Sequence, residues 1–204
     1  MQTQPLSRRR FLKLGAVAAT GVAALALWRY LPSARKADAP LMTPYGNLLV
    51  LDAAQAATFH AYAEAVLPVA KGFPSPQEAQ VVQRLDEELY FVSPAIVDDV
   101  KLVLSVLEWL PLIYGHFSRF ASLPAGQRLA LVNRTKQTRS DSVRAVMNNC
   151  RMLCFNMYYG HASSWTAIGY DGPFSALPEK LGEQRRYYAQ QTQVADKPAG
   201  GDSA

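Results

Sequence analysis

From Asp52 to Gly160 the apolar positions recur with the period of helices almost throughout. Behind Asp52, a good N-cap, Ala56, Phe59, Tyr62, Ala63 and Val66 repeat at three- and four-residue intervals, and Pro68 closes the run after Leu67. Ser75-Pro76-Gln77-Glu78 combines a cap, a proline at the first helical position and a capping-box glutamate, which predicts a second helix to about Phe91. Ser93-Pro94 repeats that start for a third, longer helix to about Phe120. A shorter fourth begins at Leu123-Pro124, and Ser140 or Asp141 caps a fifth that reaches Tyr159 and ends at Gly160. Period-two alternation is nearly absent, and only Asn47 to Leu51 reads as a short extended piece. The pattern predicts an all-α fold: one compact bundle of about five helices.

The third helix is the most apolar. Leu102, Val103, Leu104, Val106, Leu107, Trp109, Leu110, Leu112 and Ile113 leave almost no polar side, with Glu108 interrupting and Pro111 expected to kink it. A helix apolar all round is either the buried centre of a bundle or a membrane span; its length and the carboxylate favour the buried centre.

The N-terminus follows other rules. Ser7-Arg8-Arg9-Arg10-Phe11-Leu12-Lys13, SRRRFLK, precedes an uncharged, mildly apolar run from Leu14 to Trp28. This is the layout of a twin-arginine (Tat) export signal, used by proteins that cross the bacterial inner membrane already folded. Two small-residue cleavage sites follow, Ala37-Asp38-Ala39 before Pro40 and Pro32-Ser33-Ala34 before Arg35. A cleaved signal is the first reading and a retained N-terminal membrane anchor the second, because a proline after the cut hinders cleavage. The expected division is residues 1–39 as signal, 40–191 as the helical domain and 192–204 as a polar, disordered tail. Periplasmic localisation follows, with the inner membrane as the alternative site of attachment.

Removing the signal changes the charge. The chain has 21 Lys and Arg against 16 Asp and Glu, but residues 40–204 carry 14 and 15, a net of −1. The basic balance belongs to the address, so the working domain lacks the overall basic excess that nucleic-acid binding requires. With 165 residues it is large enough for one buried core.

A folded-protein address raises the question of a cofactor. No glycine-rich dinucleotide turn, phosphate loop or haem-attachment motif is present in the sequence. Cys150, Cys154 and His161, at offsets of four and seven, would share one helix face if the helix continued past Gly160. Core packing, a disulfide and a metal site are the three readings of these residues, although a disulfide within one helix is poorly placed geometrically. His60 and His116 lie in apolar helical runs without an obvious partner and read as hydrogen-bonded surface or core histidines rather than catalytic bases, and Asp86-Glu87-Glu88 and Asp98-Asp99 read as solvated helix faces.

After the fifth helix comes an aromatic, glycine-rich stretch: Tyr158-Tyr159-Gly160-His161, then Trp165, then Gly169-Tyr170-Asp171-Gly172-Pro173. Gly169 and Gly172 suit unusual backbone angles, Pro173 fixes the exit and Asp171 is placed to bond nearby amides. Such a loop is equally a lid on the bundle or a partner-docking surface through Tyr158, Tyr159, Trp165 and residues 169–173.

The twin-arginine signal, a helix ending Ala63-Glu64-Ala65-Val66-Leu67-Pro68 and the Trp165 to Pro173 stretch together resemble the gluconate 2-dehydrogenase subunit 3 family, over roughly residues 7–175. The resemblance implies a small, cofactor-free, non-catalytic subunit of a periplasmic dehydrogenase. Its large partner would be an FAD-dependent flavoprotein of the glucose-methanol-choline (GMC) type acting on a sugar, sugar acid or other alcohol, often with a multihaem cytochrome c. It further implies that Arg8 and Arg9 are export determinants for the Tat translocase and that Gly169 to Pro173 form the family signature. A membrane tether of a periplasmic redox complex and an independent metal-binding protein are the alternatives.

Overall fold

Asp52 sets the first helix as its neighbours predict. In a computed structural model, which describes residues 45–68, 70–173 and 178–195, its carboxylate accepts the Gln55 N–H at 2.8 Å while the Asp52 N–H donates to Gln55 Oε1 at 3.1 Å. This reciprocal cap opens α1, Ala53–Val66. The described residues belong to a compact unit, Leu41–Ala204. Its further helices are α2 (Val81–Tyr90), α3 (Pro94–Ile113), α4 (Ala125–Thr135), α5 (Asp141–Tyr159), the short α6 (Ala162–Trp165) and α7 (Glu179–Ala195). Single 3-10 turns lie at Phe120–Ser122 and Thr166–Ile168. The fold is an all-helical bundle, and among the described residues there is no strand. Asn47 to Leu51 is irregular, not extended.

The central element is α1 rather than α3. It packs against α2, α3, α4, α5 and the first 3-10 turn, and Ala56, Phe59 and Ala63 are fully buried. The alanines let neighbouring helices approach closely, while Phe59 and Tyr62 fill the layer between them. Tyr62 also donates its hydroxyl to the Met147 carbonyl at 3.2 Å, fixing α1 against α5.

Three predicted boundaries shift. The Ser75–Glu78 cap forms, with Ser75 N–H donating to Glu78 Oε2 at 2.6 Å and Glu78 N–H to Ser75 Oγ at 3.2 Å. It starts only a single turn, because Gln80 takes a left-handed conformation (φ 50°) and α2 begins at Val81. The Val81 N–H reaches the Pro76 carbonyl and the Gln80 N–H the Gln77 carbonyl, the bond pair of a Schellman stop. The same device ends α3 seven residues before the expected Phe120. Gly115 (φ 84°) sends its N–H to the Leu112 carbonyl, and His116 donates to the Pro111 carbonyl at 2.9 Å. His116 therefore lies beyond the helix. The third shift is at the C-terminus, where α7 runs to Ala195 and takes in the start of the expected disordered tail; residues 196–204 lie outside the described ones.

Nor is α3 buried all round. Leu104, Leu107 and Leu110 are fully buried, but Leu102 is 61% and Ile113 71% exposed, with Val106 and Ile96 also open to solvent. Glu108 is the polar residue this helix turns inward, where it pairs with Arg119 at 3.1 Å; Arg119 also lies over the Trp109 ring at 5.2 Å. Among the described residues no helix is long and apolar enough to cross a membrane.

Candidate functional site

The aromatic stretch after α5 is a helix-stop device rather than an open loop. Ser164 donates its hydroxyl to the carbonyls of Tyr158 and His161, at 2.9 and 2.8 Å, which folds α6 back onto the end of α5. The chain then closes a third Schellman pair: the Gly169 N–H donates to the Thr166 carbonyl and the Tyr170 N–H to the Trp165 carbonyl at 2.9 Å, with Gly169 left-handed (φ 69°). That motif brings the side chains at its two ends together, and here they are Trp165 and Tyr170, edge to face with centroids 5.3 Å apart.

This geometry sorts the predicted docking residues. Tyr158 is fully buried and donates its hydroxyl to the Pro74 carbonyl at 2.8 Å, so it is core and not a contact surface. Tyr159 is half-buried against Tyr158 and Phe155. Trp165 is half-buried and its indole N–H donates to the Tyr159 carbonyl at 3.0 Å, satisfying a group left over at the end of α5. Gly172 (φ 111°) runs beneath the indole, where a Cβ would lie 3.2 Å from Trp165 Cζ3. The ring acts as a lid, while Tyr170, Asp171 and Pro173 face solvent beside the exposed Ile168. Among the described residues the Asp171 carboxylate bonds no amide.

Cys150 and Cys154 are buried free thiols in the core between α5 and its neighbours. Burial pushes both up to about 12. The helix stops at Gly160, and His161 becomes the cap of α6, its Nδ1 within 2.7 Å of Ser163 Oγ and accepting the Ser163 N–H. Among the described residues no group of three or more His, Cys, Asp or Glu is placed to hold a metal.

Three features escaped the sequence reading. Asp86 is not a solvated carboxylate: it is fully buried and accepts the backbone N–H groups of Leu49, Val50 and Leu51 and the hydroxyl of Tyr188. His60 is a hydrogen-bonded histidine, as expected, but its partners were not legible. Its Nδ1 meets the Tyr45 hydroxyl and its Nε2 lies 3.3 Å from Glu64, whose other oxygen pairs with Arg128 at 2.9 Å. Burial holds the His60 imidazole below its ordinary value, with Glu64 opposing.

The third feature is an apolar stripe on α3. Leu102, Val106, the half-buried Trp109 and Ile113 follow each other at four-, three- and four-residue steps, and Phe117 lies 82% exposed just past the helix end. Its signal was present in the sequence, but an all-apolar helix does not reveal which side is left open. The predicted export residues Ser7, Arg8, Arg9, Phe11, Leu12 and Lys13 lie outside the described residues.

No family model, characterised protein or solved structure matches this chain.

Proposed function

We propose that this chain is the small, non-catalytic subunit of an exported oxidoreductase, which binds an FAD-dependent GMC-type subunit acting on a sugar, sugar acid or other alcohol. It associates with the flavin-loaded partner before export, carries it through the Tat translocase on its own signal, and stays with it in the periplasm as a stabilising subunit. A multihaem cytochrome c would complete such a complex. The observation that carries this reading is the open stripe of Leu102, Val106, Trp109 and Ile113, since a contiguous apolar helix face held at the surface suits another protein. SRRRFLK supports the export role, because that address serves cargo folded before translocation. Tyr170 and Ile168, exposed beside the Trp165 lid, offer a second contact.

The test is to replace Arg8 and Arg9 by Lys and follow the proposed flavoprotein partner. Loss of that flavoprotein from the periplasm, with its accumulation in the cytoplasm, is the expected result. A flavoprotein that still reaches the periplasm would overturn the carrier role.

A further inference from the structure

A cavity of about 550 Å³ opens between α1, α4 and α5, within the size range of small-molecule sites. Its wall is apolar where the helices meet, with Val66, Val132, Met147 and Phe155 among the lining residues. Three cations also line it: Lys136, Arg144 and Arg151.

Charge is unevenly distributed around this cavity. From Ala125 to Tyr159 the chain has six Lys and Arg and a single acidic residue, Asp141, whereas the rest of residues 40–204 has eight basic and 14 acidic. Asp141 is paired with Arg144. Lys136 Nζ instead donates to Asn133 Oδ1 at 2.8 Å, and Arg151 donates to Asn148 Oδ1 at 2.8 Å. Both partners are neutral amides, and among the described residues no carboxylate pairs with either cation. Two cations paired only with neutral amides among the described residues, at the edge of an apolar concavity, are the complement of a molecule with one anionic end and one apolar end.

We infer that this cavity is a binding site for a small organic anion, a carboxylate on an aromatic or aliphatic body, with the carboxylate on Lys136 and Arg151 and the body against Val132, Met147 and Phe155. The site uses none of the α3 stripe and does not depend on the subunit assignment.

The probe is 4-phenylbutyrate, titrated by calorimetry into the purified full chain, with 4-phenylbutanol as its neutral counterpart. A ligand of this size binds at roughly millimolar strength, and the acid is expected to bind about tenfold tighter than the alcohol, with an advantage that shrinks as salt is raised. Lys136→Gln with Arg151→Gln is expected to remove that advantage and leave alcohol binding unchanged. Leu129→Trp, at a half-exposed lining position, is expected to block both ligands while the circular dichroism spectrum and unfolding midpoint stay those of the parent. Equal affinities for acid and alcohol, no binding of either, or an acid affinity unmoved by the double substitution would each overturn the proposal.

Discussion

Asp86 and Tyr188 stand 102 positions apart in the chain and meet through a 2.6 Å hydrogen bond in the interior. The same carboxylate takes the N–H groups of Leu49, Val50 and Leu51 at 2.8, 3.0 and 2.6 Å, so one buried side chain holds the segment before α1, the second helix and the last helix together. Replacing Asp86 with Ala leaves three amides, one buried and two part-buried, and a buried phenol without acceptors. A loss of about 3–5 kcal/mol is expected in urea unfolding. Tyr188→Phe removes one of four donors and is expected to cost only about 1–2 kcal/mol. Similar losses for the two would show that the backbone bonds contribute little.

His60 gives the stability a pH dependence of known sign. Its folded value is depressed by burial below the ordinary 6.5, so between 6.5 and that lower value the unfolded chain binds a proton that the folded chain refuses. Stability should therefore be full above about pH 6.5, fall as the pH drops and level off below the folded value. The groups facing the ring are Tyr45, Glu64 and Arg128. His60→Gln is expected to flatten the fall, leaving a residual slope from His161, whose value burial also lowers. Unfolding midpoints measured on both sides of pH 6.5, together with an NMR titration of the His60 ring, check this.

The buried thiols should be inert. With Cys150 and Cys154 both pushed up to about 12, roughly one thiol in ten thousand is ionised at pH 8. Neither should react with Ellman's reagent over an hour in the native state, and both should react within minutes in denaturant. Prompt reaction of the folded chain at either position would contradict the packing described.

Gly172 lies under the Trp165 ring with φ 111°, a conformation that costs any other residue strain, and its Cβ position is already crowded at 3.2 Å. Gly172→Ala should destabilise by about 1–2 kcal/mol. Gly115→Ala has φ 84° but open space around it, so about 1 kcal/mol is expected there. The difference between the two, read from unfolding midpoints, combines the indole contact with the greater backbone strain at φ 111°.

The legible parts of the fold were those written in local chemistry. Asp52 with Gln55, Pro94 at a first turn, and Ser140, which accepts the Val143 N–H, each act within a few residues, so residue type alone announces them. Gln80 stops a turn without being a glycine, and Gly115 stops an apolar run whose hydrophobicity continues into Phe117. The last helix, α7, was invisible because its sequence is largely polar; its buried Tyr188 is held by Asp86, in another helix. For the same reason Asp86 passed as one more charge in an acidic run. The aromatic stretch was recognisable as a special segment, but only the closed turn shows that Trp165 faces Tyr159 and that Tyr158 belongs to the core.

The α3 stripe separates a role in folding from a role in association. Leu102 and Ile113 are 61% and 71% exposed, so Leu102→Asp and Ile113→Asp should each change stability by no more than about 0.5 kcal/mol. If the stripe is where a partner seats, the same changes place a carboxylate in a desolvated interface and should weaken association by about 2 kcal/mol or more each, roughly thirtyfold. Leu107→Asp is the contrasting variant, because Leu107 is fully buried on the same helix and should unfold the chain. Co-purification of the proposed flavoprotein partner with each variant, beside its unfolding midpoint, reads both effects. Retained association with both surface variants would leave α3 without a docking role and turn attention to Tyr170 and Ile168, whereas lost association at unchanged stability would identify the stripe as the docking face.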